Sequence, residues 1–341
     1  MAPTRSVMRG LFPVPDPVLA VVDTLTGPPP QRQVLRAWCA RDPQMRETDV
    51  ASLDTEFAYP TLAPGGRALL FVRQLSVEDR AHEGVFRLDL ASGRIDHSGF
   101  RFRPRAPWTA PHVAYALSPD GSRALICESW VNRTVDESRG VSAQRLTLTL
   151  ATFDGSDPRE LMTLHGLSHW VHSDEVSVQF SPDGRLAALS VTAAHVVEDL
   201  PSWDVRPRPV WGWTRRVMVL DTSTWETKHV YERGSNLAGP AAWGPASDRL
   251  LLETELGVTV QHLEGAADMV KSLPLESSEN DQSRLLGMLD EERVLYFDVR
   301  RRQASIDSIR ISDGERTRLR QWPAAVPPVI ATAPLAPDLW D

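Results

Sequence analysis

The chain of 341 residues carries 37 basic and 45 acidic side chains, a formal net charge of −8. That balance excludes a nonspecific grip on polyanions, which depends on clustered Lys and Arg neutralising phosphates, so no nucleic-acid partner is expected. The hydrophobic content of 42% supports a large core in one large or two ordinary domains, while Cys39 and Cys127 alone, without C-x-x-C spacing, exclude a disulfide framework or a thiolate metal site.

Residues 1–51 open with Arg5 and Arg9 and hold the apolar run Val18 to Val22, which follows prolines and meets Asp23. The run is too short for a signal-peptide core or a bilayer span and reads as a strand. A cytoplasmic chain with no membrane partner is the expectation. Arg32 to Ala40 is the strongest helical candidate and fits a strand equally.

From residue 62 onward, five segments align. They are Leu62-Ala-Pro-Gly-Gly-Arg-Ala-Leu-Leu-Phe71, Leu117-Ser-Pro-Asp-Gly-Ser-Arg-Ala-Leu-Ile126, Phe180-Ser-Pro-Asp-Gly-Arg-Leu-Ala-Ala-Leu189, Trp243-Gly-Pro-Ala-Ser-Asp-Arg-Leu-Leu-Leu252 and Met288-Leu-Asp-Glu-Glu-Arg-Val-Leu-Tyr-Phe297. Each pairs an apolar residue with a turn cluster and then an apolar strand, although the last has lost its Pro and Gly. Pro presets the bend and Asp-Gly or Gly-Gly supplies the positive φ of a tight turn, so each segment predicts a β-hairpin. The matching prolines, Pro64, Pro119, Pro182 and Pro245, lie 55, 63 and 63 residues apart. A bare four-stranded blade needs only about 40–45 residues, so the units carry insertions.

The segments YALSPDGSRALI and VQFSPDGRLAALS resemble the WD40-like propeller repeats of the TolB carboxy-terminal domain and of prolyl-oligopeptidase-type propellers, over roughly Ser52 to Leu319. The resemblance implies an all-β fold, a six-bladed β-propeller with five blades in 52–319 and a sixth built from 1–51 and 320–341. Both chain ends would thus close the ring and protect its sheet edges. Only the scaffold transfers, because the periplasmic signal and amino-terminal domain of TolB and the G-x-S-x-G elbow of an oligopeptidase are not found.

In such propellers the hairpin turns mark one face, and uncommon chemistry is expected on the opposite, top face. His165, His169, Trp170, His172 and Asp174 crowd one approach to it; Trp108 and His112 lie on another. Two long connections share that face. Glu128 to Gln144 contains Trp130, Asn132 and Arg133, and Thr192 to Trp213 contains Trp203, Trp211 and Trp213. Trp and Arg are enriched at binding hot spots, although Trp211 and Trp213 also fit alternate positions of a strand. The candidate binding residues are therefore Trp108, His112, Trp130, Arg133, Trp170, Trp203, Trp211 and Trp213.

His169 or His172 paired with Asp174 forms a candidate general base. Spacing of i, i+4, i+7 for the three histidines shares one face only on a helix, and this stretch leads into a strand; no metal and no cofactor is expected. The leading expectation is a noncatalytic propeller that binds a protein or peptide partner through the top-face insertions, with small-molecule binding also open. The alternative is a small-molecule hydrolase or lyase using the His/Asp cluster, and a third reading is a structural subunit of a larger complex.

Overall fold

The computed structural model describes residues 17–25, 32–39, 48–53, 57–62, 68–74, 82–89, 94–98, 112–136, 141–169, 176–197, 210–233, 241–254, 257–264, 268–269, 282–300, 303–323 and 329–332. Every regular element among them is a strand. The chain begins with β1 (Pro17–Leu25), β2 (Arg32–Cys39) and β3 (Thr48–Leu53). The first repeat supplies β4 (Phe57–Leu62), β5 (Ala68–Gln74), β6 (His82–Asp89) and β7 (Ile95–His97). The second supplies β8 (His112–Leu117), β9 (Arg123–Asp136), β10 (Val141–Thr152) and β11 (Arg159–His169), and the third β12 (Ser177–Phe180), β13 (Leu186–Val197), β14 (Val210–Asp221) and β15 (Thr227–Arg233). The fourth and fifth give β16 (Ala241–Trp243), β17 (Arg249–Thr254), β18 (Gly257–His262) and β19 (Asp268–Met269), then β20 (Gln282–Met288), β21 (Arg293–Arg300), β22 (Gln303–Arg310) and β23 (Arg316–Pro323). The last strand is β24 (Val329–Thr332). Arg32 to Cys39 is a strand because β1 and β3 pair with it on both sides, a tertiary decision that propensity does not make.

The hairpin turns form as their residues dictate. Gly121 (φ 70°) and Gly184 (φ 72°) take the left-handed position, and their N–H groups donate to the carbonyls of Ser118 and Ser181 at 2.8 and 2.9 Å. Within each turn the aspartate accepts from the serine hydroxyl, Ser118 Oγ to Asp120 at 2.5 Å and Ser181 Oγ to Asp183 at 2.6 Å. That bond, with the Ser122 N–H, holds the Asp120 carboxyl below the usual carboxylate range. In the fourth repeat Ser247 adopts the same positive φ of 62° where the second and third have glycine. Its hydroxyl accepts from the Asp183 N–H at 3.1 Å, tying the third turn to the fourth. Asp290 keeps the fifth turn, accepting from the Glu292 N–H at 3.0 Å although Pro and Gly are gone.

Other clasps join neighbouring turns. Arg87 donates to the Gly121 carbonyl at 3.3 Å and lies 4.4 Å over the Phe153 ring, and Arg249 pairs with Glu291 at 2.6 Å. Gly184 lies against Pro119, so an added Cβ would meet its Cδ at 3.2 Å, whereas a Cβ at Gly121 meets nothing nearer than Arg87 Nη1 at 3.8 Å. Gly121→Ala is therefore expected to cost ~1–2 kcal/mol, the left-handed penalty alone. Gly184→Ala should cost measurably more in urea unfolding, and equal losses would contradict the turn-to-turn contact.

Period-two alternation builds the core. Val113, Tyr115 and Leu117 pack with Leu70 and Val85 of the first repeat, while Ala116, Leu125, Cys127 and Leu148 pack with Val178, Phe180 and Leu189 of the third. The third repeat meets the fourth through Val217, Val219 and Trp243, and the fourth meets the fifth through Leu251, Val258 and Tyr296.

The expected closed six-bladed ring requires correction. Among the described residues the strands form five antiparallel sheets, none of which closes into a ring or barrel. Four are four-stranded; β24 and β1–β3 make up one of these, so strands near the two chain ends do share a sheet. The second and third repeats do not stay separate. Overlong β11 and β13 bridge at Leu167 and Ala194 and merge both repeats into one eight-stranded sheet, with β12 attached to β13 beside it.

Candidate functional site

The two long connections are extended hairpins for much of their length. β9, β10, β11, β13 and β14 run 14, 12, 11, 12 and 12 residues, against 7 for β5 and 6 for β17, and the surplus lies at the end away from the hairpin turns. β11 and β13 both start from turns at the same end, yet their far ends meet antiparallel. The extensions must therefore fold toward each other rather than rise side by side.

Register shows what this union brings together. One unbroken row crosses five strands from two repeats: Asn132, Ala143, Leu167, Ala194 and Trp213. The row two residues nearer the turns in the second repeat is Trp130, Arg145 and His165, and the next is Val113, Glu128, Thr147 and Thr163. Leu146 and Leu148 turn toward the third repeat. Glu128, Trp130, Arg145 and Thr147 occupy the opposite face, continuous with Ala124 and Ile126 and directed toward the first repeat. Thr147 is buried, and Glu128, Trp130 and Arg145 are partly buried, so this face sets an aromatic ring and opposite charges among shielded neighbours. Cys127, on the other face of β9, has its thiol pushed well up by burial, which excludes it as a nucleophile.

Of the residues singled out from sequence, Trp130 stands on this face opposite Arg145. Strand positions are defined for five others: His112 opposite Ser129, Arg133 within β9, His169 opposite Val141, Trp211 opposite Val196 and Trp213 opposite Ala194. Trp108, Trp170, His172, Asp174 and Trp203 lie outside the described residues, and with them the pairing of His169 or His172 with Asp174. Among the described residues no three His, Cys, Asp or Glu side chains are grouped so as to hold a metal ion.

Sequence reasoning passed over Arg145. The signal was present in Arg145-Leu-Thr-Leu-Thr-Leu150, where strict alternation sets an arginine on the same face as two threonines and opposite three leucines.

A second polar cluster sits in the fifth sheet. Asp298 and Asp307 are buried, and Arg316 donates to both, through Nη2 to Asp298 at 2.6 Å and through Nε to Asp307 at 2.6 Å, with Arg318 reaching Asp307 at 3.2 Å. Burial works against the Arg316 charge, but its bonds to the two aspartates outweigh it and hold the guanidinium above its ordinary range. Two of the three alternating arginines Arg316, Arg318 and Arg320 are thereby committed to internal carboxylates.

No protein-family model matches the sequence, and no curated protein matches it. The structure is similar to TolB from Acinetobacter baumannii, at 12% identity and a TM-score of 0.53 over 95% of this chain and 68% of that one. It is also similar to an oligogalacturonate lyase in complex with manganese (15% identity, TM-score 0.47, 91% of this chain and 75% of that one). A third similar structure is an acylaminoacyl peptidase of Pyrococcus horikoshii (13%, 0.43, 78% and 39%). The chain thus carries an all-β, propeller-like scaffold of the TolB type. The cytoplasmic expectation is overturned, because TolB-type proteins are periplasmic. The run Val18 to Val22 that supported it is the middle of β1 and carries no information on compartment. No described helix is long and apolar enough to cross a membrane.

Proposed function

We propose that the chain is a binding scaffold that holds a protein or peptide segment on the far-end sheet shared by its second and third repeats. The observation that supports this reading is the unbroken row from Asn132 to Trp213, which sets the β9–β10 hairpin and the β13–β14 hairpin in one surface. An extended sheet lined with Trp and Arg offers both main-chain hydrogen bonds and side-chain anchors to an extended segment. The test is capture from the native host by the intact chain and by a chain with the β9–β10 hairpin cut back to the Val131–Gln144 pair. Capture is expected to fall about tenfold or more; unchanged capture would refute docking on this surface.

A second reading is a hydrolase or lyase acting on a small molecule, favoured by one observation: β11 delivers His169 to the end of the same sheet, opposite Val141. Under it, turnover found in a panel of hydrolysable and eliminable small molecules disappears in His169→Ala while the β9–β10 truncation leaves partner capture unchanged.

A further inference from the structure

We propose that Arg145 and Trp130 form a carboxylate-binding subsite, in which the Nε and Nη edge of the guanidinium receives a carboxylate of the ligand and the indole covers its adjoining flat group. The inference rests on the binding reading above and names the chemistry of what is bound. Its starting point is an unmet donor: Arg145 Nε is shielded from solvent and makes no hydrogen bond. Buried donors are nearly always satisfied in folded proteins, and this one belongs to a partly exposed guanidinium beside an aromatic ring, a setting that suits a ligand completing the set.

The geometry narrows the ligand. Nε–H and one Nη–H of a guanidinium point in parallel and match the two oxygens of a carboxylate, a fit that a lysine ammonium does not provide. Trp130 stands directly opposite in β9, so a group attached to the carboxylate meets an aromatic surface. Glu128 lies diagonally across, opposite Thr147, and is held in an interaction of its own, so among the described residues of this face Arg145 is the cation that can meet an incoming anion. A short acidic or carboxy-terminal group fits this surface; a polyphosphate, which needs several clustered cations, does not.

The test uses the full chain with nitrogen-15-labelled arginine and follows the Nε–H resonance of Arg145, identified by its loss in Arg145→Lys. Titration with benzoate is expected to move that resonance saturably, and the neutral isostere benzamide is expected to leave it in place. Arg145→Lys, with its remaining arginine resonances unmoved as proof of fold, should bind benzoate about tenfold or more weakly when both proteins are titrated by calorimetry. No movement with benzoate, equal movement with benzamide, or equal affinity for inorganic phosphate overturns the assignment. If benzoate fails while the hairpin-truncated chain still loses its captured partner, the subsite is refuted and the binding reading stands.

Discussion

Trp243→Ala is expected to lower the unfolding free energy by ~3–5 kcal/mol, among the largest losses available to a single side chain here. Trp243 is 1% exposed and fills the space between the third and fourth repeats, against Ala188, Val217, Val219, Leu250 and Leu252. Its Nε1–H donates to the Gln179 carbonyl at 3.4 Å, a contact that reaches back to the inner strand of the third repeat. Truncation removes the apolar volume and opens a cavity that two hydrogen-bonded sheets cannot close by small shifts. Trp243→Phe keeps most of the volume and gives up the weak hydrogen bond, so it should cost ~1–2 kcal/mol. Urea unfolding of the three proteins measures both, and a loss below that of Trp243→Phe in the alanine variant would show that the two repeats do not depend on this plug.

Arg316→Ala is expected to cost ~3–5 kcal/mol for an electrostatic reason. The side chain of Asp307 is fully buried and that of Asp298 is 4% exposed, and Arg316 is bonded to both. Its removal takes from both buried carboxylates the guanidinium they share and leaves Asp307 with Arg318, which is 54% exposed and 3.2 Å away, and with the Ser305 hydroxyl at 3.3 Å. Removing Arg318 instead leaves the Arg316 bonds in place, so Arg318→Ala should cost under ~1 kcal/mol, as for an exposed pair. Comparable losses for the two arginines would show that the network is a surface pairing rather than a buried one.

The hairpins were legible in the sequence because each turn is written in residues that have few conformational options. Gly121 and Gly184 needed a positive φ and have it, and the aspartates beside them cap the turn as an acceptor between two serine or backbone donors should. Ser247 took the same position without glycine, held there by a contact from another repeat that no local pattern announces. The connections after β9 and β13 were read as insertions because Trp, Pro and charged residues dilute the alternation, yet much of both is strand. What decided this was pairing between partners far apart in the chain, Leu167 with Ala194 above all. The same long-range pairing is why a ring of separate blades was the wrong expectation, since repeat spacing carries no sign that two units share one sheet. Arg145 was missed for the opposite reason: its alternation was regular enough to look like ordinary strand.

The union of the second and third repeats carries the binding surface, and a disulfide trap across that bridge measures it. In Leu167→Cys/Ala194→Cys with Cys39 and Cys127 replaced by serine and alanine, the directly opposed positions fall within the reach of a disulfide. Mild oxidation is predicted to give a monomeric, internally crosslinked protein whose thermal midpoint equals or exceeds that of its reduced form. Thiols that stay free, or that crosslink only between molecules, would contradict the shared sheet and the binding surface built on it.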